Sequence, residues 1–326
     1  MRIGHQRSWD YLIKSSQNGR LAHAYLFVGP SEIGKKTLAL EFVKWLLCEQ
    51  KNKTPKSACN ECKNCLDIVK NQHPDVFILQ ARQEEKNGVV KTYEIGIDEI
   101  KALQHQISLS AYSAKYKVAI IEEANWLTRE AVNAFLKTLE EPTGRALIIL
   151  ISSNWQTLLP TIISRCQLVK FLAVPEKEMF AALKLLCKRE TDLEKAMKLS
   201  AGRPGRAAKL LKEPQLIIEQ QRNIEDFKKI LRADLASRFD LARDLSENVP
   251  VAQAALEQWT IFLRDKLLES VGCEQFTIFG GQSAPRQNFA TRNLLNSLRE
   301  IQKAQAILGN PSFNARLTLE VMLMKL

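Results

Sequence analysis

A turn bounded by two glycines carries the residue types that bind phosphate. Residues 29–37 read G-P-S-E-I-G-K-K-T, which fits G-x-x-x-x-G-K, but Lys36 stands where a Ser or Thr hydroxyl would ligate Mg²⁺. Gly29 and Gly34 let the backbone N–H groups point inward, and Lys35 can then reach the β- and γ-phosphates. The pattern predicts a loop that holds an anion and handles Mg-nucleotide poorly.

Two interpretations of this turn stay open at this point. In the first, the turn binds nucleotide in spite of Lys36. In the second, it is only a tight connection between a strand and a helix, and it holds no ligand. Thr37 does carry a hydroxyl, but one residue further along a helix a side chain points about 100° away from its predecessor.

Two later segments end in groups that phosphate-loop proteins use. An apolar run from Val118 ends in two carboxylates, Glu122 and Glu123. In such proteins the first acid holds Mg²⁺ through water and the second polarises the attacking water. A second apolar run, from Ala146, ends in Ser153, whose position can sense a γ-phosphate. Acids and serines are common at strand ends, so the residue types alone are weak evidence. Their order along the chain, after the glycine turn, is what favours a phosphate-loop protein.

Four of the seven cysteines cluster with the spacing C-x10-C-x2-C-x2-C: they are Cys48, Cys59, Cys62 and Cys65. In a cytosolic chain such short spacings favour a metal site over disulfides. Four thiolates suit a closed tetrahedral Zn²⁺ site that leaves no position for a catalytic water. We therefore predict a structural zinc site in an insertion over residues 48–65.

The elements that must position these groups alternate between strands and helices. Helical spacing of apolar residues lies between the strands, which predicts a parallel sheet flanked by helices and an α/β fold class. The predicted strands are residues 24–28, 75–80, 116–123, 146–153 and 168–172. A short helix over residues 66–71 follows the cysteines, and Asn87-Gly88 at the tip of a polar loop indicates a hairpin turn.

From Pro175 onward the pattern is helical throughout. Segments 176–190, 192–201 and 205–211 predict a small three-helix unit, and longer amphipathic segments follow Pro214. We therefore expect three domains: residues 1–174, 175–213 and 214–326.

The composition is that of an ordinary globular chain with a basic excess. Its 326 residues are 45% hydrophobic and 25% charged, and the net charge is +11. A basic excess fits work near nucleic acid or in an anionic assembly, and a generic basic surface explains it equally well. Neither a membrane-spanning stretch nor an apolar signal core is evident, so a cytoplasmic location with no membrane partner is the expectation.

Several motifs occur in an order that resembles the clamp-loader branch of the AAA+ ATPases. The motifs are H-A-Y-L-F-V-G-P-S-E-I-G-K-K-T from His23, the four cysteines, V-A-I-I-E-E from Val118, N-A-F-L-K-T-L-E-E-P from Asn133 and L-P-T-I-I-S-R-C-Q from Leu159. The resemblance covers residues 5–212 and implies an AAA+ P-loop domain with a helical lid and a C-terminal helical collar. It also implies that Arg165, in Ser-Arg-Cys, acts in trans as an arginine finger.

Three departures from the motor subunits of this branch indicate a non-motor subunit. Lys36 replaces the hydroxyl residue, Glu122 replaces an Asp, and Arg206 is shifted by one residue from the family's sensor Arg. The resemblance then implies gamma/tau and delta subunits, the sliding clamp and primed DNA as partners. It implies neither polymerase nor ATPase activity of this chain, and the departures weaken the case for bound ATP and Mg²⁺.

Two alternatives stay open beside this interpretation. One is a gamma/tau-like ATPase subunit that is active in cis. The other is a zinc-stabilised DNA-binding module that takes no part in a clamp loader.

Overall fold

The structure is a computed structural model, and it describes most of the chain. The described residues are 2–51, 56–86, 89–142, 144–153, 155, 158–186, 189–273, 291–309 and 313–326. They form two compact units. The predicted turn at Asn87-Gly88 lies outside the described residues.

The first unit is built on a five-stranded parallel sheet. It comprises Met1–Lys86, Lys91–Met179 and Arg203–Gly205. From edge to edge, the strands of the sheet are β2 (Val76–Leu79), β5 (Lys117–Ile121), β6 (Ala146–Ser152), β1 (Ala24–Val28) and β7 (Gln167–Lys170). All five predicted strands and the α/β fold class are confirmed. Because the strands are parallel, the carboxyl ends of β1, β5 and β6 lie on the same side of the sheet. Each of these strands is followed directly by a predicted site residue: Gly29, Glu122 and Ser153, respectively.

Helices cover both faces of this sheet, which explains why its central strands are apolar without alternation. Successive residues of β1 point to opposite faces, so Tyr25 and Phe27 enter one core and Leu26 and Val28 enter the other. The first core holds α1 (Gln6–Gln17), α2 (Lys35–Leu47) and α3 (Lys63–Val69). The second holds α4 (Ile97–Ser108), α5 (Arg129–Glu140) and the short α6 (Pro160–Ile163).

Two short strands, β3 (Gln83–Lys86) and β4 (Val89–Thr92), form a separate two-stranded sheet. Helix α3 begins at Lys63, three residues before the predicted start, directly after its N-cap residue Cys62. The prediction missed these residues because the cysteines interrupt the apolar periodicity on which it relied. Cys65 therefore lies within the helix.

Eight described helices lie wholly or partly in the second unit. They are α7 (Glu176–Leu183), α8 (Glu190–Ser200), α9 (Pro204–Lys212), α10 (Gln215–Ile230), α11 (Leu235–Ser246), α12 (Val249–Ser270), α13 (Thr291–Leu308) and α14 (Ala315–Met324), the first and third of which begin in the first unit. The helices from α8 to α14 share one buried core. At its centre the rings of Phe227 and Trp259 stack with their centroids 4.5 Å apart. The predicted helix 176–190 instead ends at Leu183 and continues as a single 3-10 turn, Lys184–Leu186.

Residues of α8 and α9 contribute to the same buried core as α10 to α14. The division of this helical part into a lid and a collar at residue 214 stays a prediction. Among the described residues, no helix combines the length and the apolar character needed to cross a membrane.

Candidate functional site

The glycine turn connects β1 to α2, as predicted, and its geometry requires both glycines. Gly29 has φ 152° and Gly34 has φ 106°, which L side chains rarely adopt. A Cβ at Gly29 would also lie 2.5 Å from the carbonyl oxygen of Phe171. Gly34 then forms the N-cap of α2, so the first turn of this helix begins at Lys35.

The ammonium of Lys35 is directed back into its own loop. The residue is only 4% exposed, and Nζ donates to the carbonyls of Gly29 at 2.6 Å and of Pro30 at 2.7 Å. His5, which precedes α1, forms a hydrogen bond of 2.9 Å through Nε2 with the carbonyl of Ile33. The side chains of Lys35 and His5 therefore stabilise the loop through hydrogen bonds to its backbone carbonyls.

Lys36 forms an ion pair with Glu122, the first acid of the predicted acidic pair. Lys36 Nζ lies 2.7 Å from Glu122 Oε1, across the gap between the start of α2 and the end of β5. An ammonium therefore neutralises the carboxylate that would hold Mg²⁺ in a motor subunit. Both residues were predicted site residues, but their pairing was not predicted, because no local pattern in the sequence relates them.

Glu123 and Ser153 also meet. Ser153 Oγ donates to Glu123 Oε2 at 2.7 Å, which links the ends of β5 and β6. Glu123 has the left-handed backbone conformation, with φ 52° and ψ 59°. A non-glycine residue in this region is uncommon and is held there only by its surroundings.

A cavity of about 220 Å³ collects these groups within the first unit. Its lining includes three carboxylates and two lysines, so its formal charge is −1 before any ligand enters. The lining residues are Glu32, Gly34, Lys35, Lys36, Thr37, Glu122, Glu123, Ile151 and Gly205. A nucleoside triphosphate carries several negative charges, so the three carboxylates would repel it unless a cation accompanied it.

The four predicted metal ligands come together at the other end of α2. Cys48 follows the helix as its C-cap, Cys59 and Cys62 lie in the loop, and Cys65 lies on α3. All four Sγ atoms lie within 4.8 Å of one another, and those of Cys59 and Cys65 are 3.9 Å apart. A tetrahedral site with Zn–S bonds of about 2.3 Å requires S···S distances of about 3.8 Å. The cluster could therefore hold a metal ion.

The surroundings of the four thiols differ. Backbone N–H groups of Glu61 and Cys62 stabilise the Cys59 thiolate and lower the pKa of this residue to about 6. Burial raises the pKa of Cys48 and of Cys65. A bound cation would reverse the effect of burial, because a coordinating thiol is deprotonated by the charge of its metal.

Hydrogen bonds from polar side chains fasten the cysteine loop to its neighbouring helices. Asn64 Nδ2 donates to the carbonyl of Leu47 at 2.9 Å, and Lys44 Nζ donates to Asn60 Oδ1 at 3.0 Å. Trp9 Nε1 on α1 donates to the carbonyl of Lys56 at 3.2 Å. The loop is thus part of the core that α1, α2 and α3 share.

Arg165 follows α6 and binds the end of α5. Its Nε donates to Glu140 Oε1 at 2.7 Å, Nη2 contacts the same oxygen, and Nη1 donates to the carbonyl of Thr161 at 2.9 Å. The neighbouring Cys166 is largely enclosed, and burial raises the pKa of its thiol to about 12. The sequence motifs contained Glu140 but gave no sign that it pairs with Arg165.

Arg206, the shifted sensor candidate, is buried in the second unit. Its Nη1 donates to Glu257 Oε2 on α12 at 2.7 Å. Through this ion pair Arg206 links α9 to α12.

The strand order, the glycine turn after β1 and the acidic pair after β5 define a P-loop domain of the AAA+ class. The family described as "DNA polymerase III, delta subunit" matches residues 4–175. The delta' subunit of DNA polymerase III from Pseudomonas aeruginosa is 31% identical over 333 residues, which cover 97% of this chain and 96% of that protein. The chain belongs to the delta-prime subunits of bacterial DNA polymerase III, a clamp-loader family.

Other relatives match over a shorter part of the chain. The Bacillus subtilis delta' subunit is 36% identical over 171 residues, or 52% of this chain and 48% of that protein. The Bacillus subtilis tau subunit is 35% identical over 166 residues, or 50% of this chain and 27% of that protein.

Proposed function

We propose that the chain is a non-motor subunit of the clamp loader that supplies Arg165 to the nucleotide site of a neighbouring ATPase subunit. Its partners would be gamma/tau and delta subunits, and together they would place the sliding clamp on primed DNA. The Lys36–Glu122 ion pair is the observation that carries the proposal, because it removes the Mg²⁺ ligand from the chain's own site.

Phosphoryl transfer needs a metal ion that bridges the β- and γ-phosphates and a residue that orients the attacking water. Here Lys36 neutralises Glu122, and Glu123 accepts a hydrogen bond from Ser153. Lys35 donates to two carbonyls of its own loop. A nucleotide would have to displace these contacts and also enter a cavity whose formal charge is already negative. We therefore expect negligible ATP hydrolysis by the isolated chain.

Arg165 has the chemistry that a neighbouring site needs. A guanidinium is planar, always charged and matched to phosphate oxygens, whereas an ammonium is a point charge. Arg165 is partly exposed, with a side-chain accessibility of 31%, and its backbone N–H donates to the carbonyl of Ile162 in α6 at 3.1 Å. Such a side chain can reach a partner without a change in the fold.

We also propose that Zn²⁺ occupies the cysteine cluster in a structural role. All four candidate ligands are thiols, which Zn²⁺ binds in closed tetrahedral sites. The metal would hold α3 against the end of α2.

The test is the ATPase rate of a reconstituted clamp loader in the presence of primed DNA and clamp. Arg165→Ala should lower the stimulated rate by about tenfold, since an arginine finger is worth about 10³–10⁵ in a single-site GTPase and several sites dilute the effect here. Arg165→Lys should rescue little of the rate. Arg145→Ala is the matched control, because Arg145 is an exposed arginine of the same unit that lies away from α6, directly before β6.

Equal rates for Arg165→Ala and Arg145→Ala would remove Arg165 from the mechanism. The cis alternative is tested by the isolated chain alone. Mg²⁺-dependent ATP turnover that Lys35→Ala abolishes would mean that the chain is a gamma/tau-like ATPase. A chain that binds DNA but joins no complex with gamma and delta would support the DNA-binding module instead.

A further inference from the structure

The guanidinium of Arg165 is almost fully occupied by its own chain. Nε and Nη2 both bind Glu140 Oε1, while Nη1 lies near two oxygens, the Thr161 carbonyl at 2.9 Å and Ser164 Oγ at 3.4 Å. Four of its five N–H donors thus have an acceptor within the chain. Arg165 cannot donate two parallel hydrogen bonds to a phosphate until it leaves Glu140.

The carboxylate of Glu140 lies in an electrostatically unfavourable position unless it pairs with a cation. Glu140 is the last residue of α5, where the partial negative charge of the helix end repels a carboxylate. Arg165 offsets this repulsion. The adjacent carboxylate, Glu141, has no ion pair or side-chain hydrogen bond among the described residues. The contact with Arg165 is therefore specific to one of two neighbouring acids.

The backbones on both sides of this contact are anchored by buried neighbours, whereas the side chains of Arg165 and Glu140 are not enclosed. Leu139 and Ile162 are 1% and 0% exposed and belong to the same core. The side chains of Arg165 and Glu140 are 31% and 48% exposed. An ion pair at such exposure contributes little to stability, so a stronger acceptor can displace the carboxylate.

We propose that Glu140 is a positioning residue that holds Arg165 on its own chain until the phosphates of a nucleotide on a neighbouring subunit compete for the guanidinium. The inference rests on the proposed function of Arg165. A terminal phosphate offers three strong acceptor oxygens and more negative charge than a carboxylate, so Arg165 transfers to it when a nucleotide is present. In the absence of nucleotide, Glu140 keeps the charge of Arg165 paired and its side chain ordered.

The first test uses the isolated chain and needs no partner. Phenylglyoxal reacts with free guanidinium groups, and mass spectrometry measures its rate at Arg165. Glu140→Gln should raise this rate about two- to fivefold, the range that loss of an exposed charge pair allows. Glu141→Gln is the matched control and should match the wild-type rate. An equal rate in all three chains would overturn the inference.

The second test measures kcat/KM for ATP in the reconstituted clamp loader. Glu140→Gln should raise kcat/KM about two- to fivefold, and Glu141→Gln should not change it, because only Glu140 competes with the nucleotide. In an Arg165→Ala background the effect of Glu140→Gln should disappear, which is the signature of two residues that act through one contact.

The outcomes separate this inference from the proposed function. If Arg165→Ala slows the ATPase while Glu140→Gln behaves like Glu141→Gln, only the inference fails. A decrease in kcat/KM for Glu140→Gln would also overturn it, since Glu140 would then orient Arg165 in the transition state instead of competing for it. If Arg165→Ala has no effect in the complex, the proposed function fails and the inference fails with it.

Discussion

Helix α2 has a group of reactive side chains at each end, and the two groups are in opposite chemical situations. At its start, Lys35 donates to loop carbonyls and Lys36 pairs with Glu122. Beyond its end, the sulfur atoms of Cys48 and three other cysteines converge on one another. The first group contains positive and negative side chains that pair with one another or with the loop backbone. The second group contains only thiols.

The difference explains how each group should respond to a ligand. Opposite charges within one site compete with any incoming ion, so the glycine turn gains little from a nucleotide. Four thiols have no cation among them, and burial disfavours their thiolate forms at Cys48 and Cys65. A divalent metal would supply the missing charge. We therefore expect the cysteine cluster to bind its predicted ligand more readily than the glycine turn does.

The largest expected effect is that of metal removal. The purified chain should contain one equivalent of zinc, and a chelator should lower its free energy of unfolding by at least about 3 kcal/mol, because metal binding at such sites is coupled to folding. Cys65→Ser should do the same. Metal analysis and thermal unfolding, with and without chelator, measure both quantities.

Cys273→Ser is the control for this prediction, since Cys273 lies outside the cluster. A chain that is zinc-free as isolated and equally stable with chelator would show that the cysteines satisfy one another without metal. In that case the groups at both ends of α2 would be stable without a ligand, and the difference proposed between them would not exist.

A third region, around Asp75, contains a buried carboxylate whose two oxygens both accept hydrogen bonds from the chain. Asp75 is 0% exposed and accepts hydrogen bonds from the backbone N–H groups of Tyr112, Ser113 and Ala114 at 2.7–2.9 Å. Asp75→Asn should destabilise the chain by about 3 kcal/mol, because an amide cannot accept on both sides of its head group. Denaturant unfolding measures the loss, and Asp98→Asn on the exposed face of α4 is the control.

The same carboxylate makes a prediction about pH. Burial tends to raise the pKa of Asp75, but the three backbone hydrogen bonds and the Lys117 ammonium outweigh it and lower the pKa below its ordinary value. The stabilisation is therefore complete above the unfolded pKa of about 3.9 and is lost as the pH falls through the lower native pKa. The stability difference between wild type and Asp75→Asn should shrink below about pH 4. A difference that grows in acid would contradict this assignment.

The smallest expected effect is that of opening the glycine turn. Lys36→Thr removes the ion pair, frees Glu122 and restores a hydroxyl after Lys35, so Mg-ATP should bind about tenfold more tightly than to wild type. Isothermal titration calorimetry measures the affinities, with Lys101→Thr as a surface control. If wild type already binds Mg-ATP as tightly as Lys36→Thr, Lys36 does not obstruct the site.

Much of the fold follows from local sequence. The five strands are short apolar runs, and the apolar spacing of α4 and α5 repeats with the period of a helix, so neighbouring residues alone indicate each element. The cysteine cluster was predictable for the same reason, because three of its ligands lie within seven residues. Where the local pattern was interrupted, as at the start of α3 and the end of α7, the predicted boundaries were displaced.

The partners of the site residues were decided only by the tertiary structure. Lys36 and Glu122 lie on α2 and just after β5, and Arg165 and Glu140 are 25 residues apart on different elements. Whether two such charges meet depends on the order of the strands and on how α5 and α6 pack, which no window of sequence contains. The sequence by itself determined which groups could bind phosphate or metal. The tertiary structure determined which of them the chain had already paired, because a charge interacts with its neighbours in space and not with its neighbours along the chain.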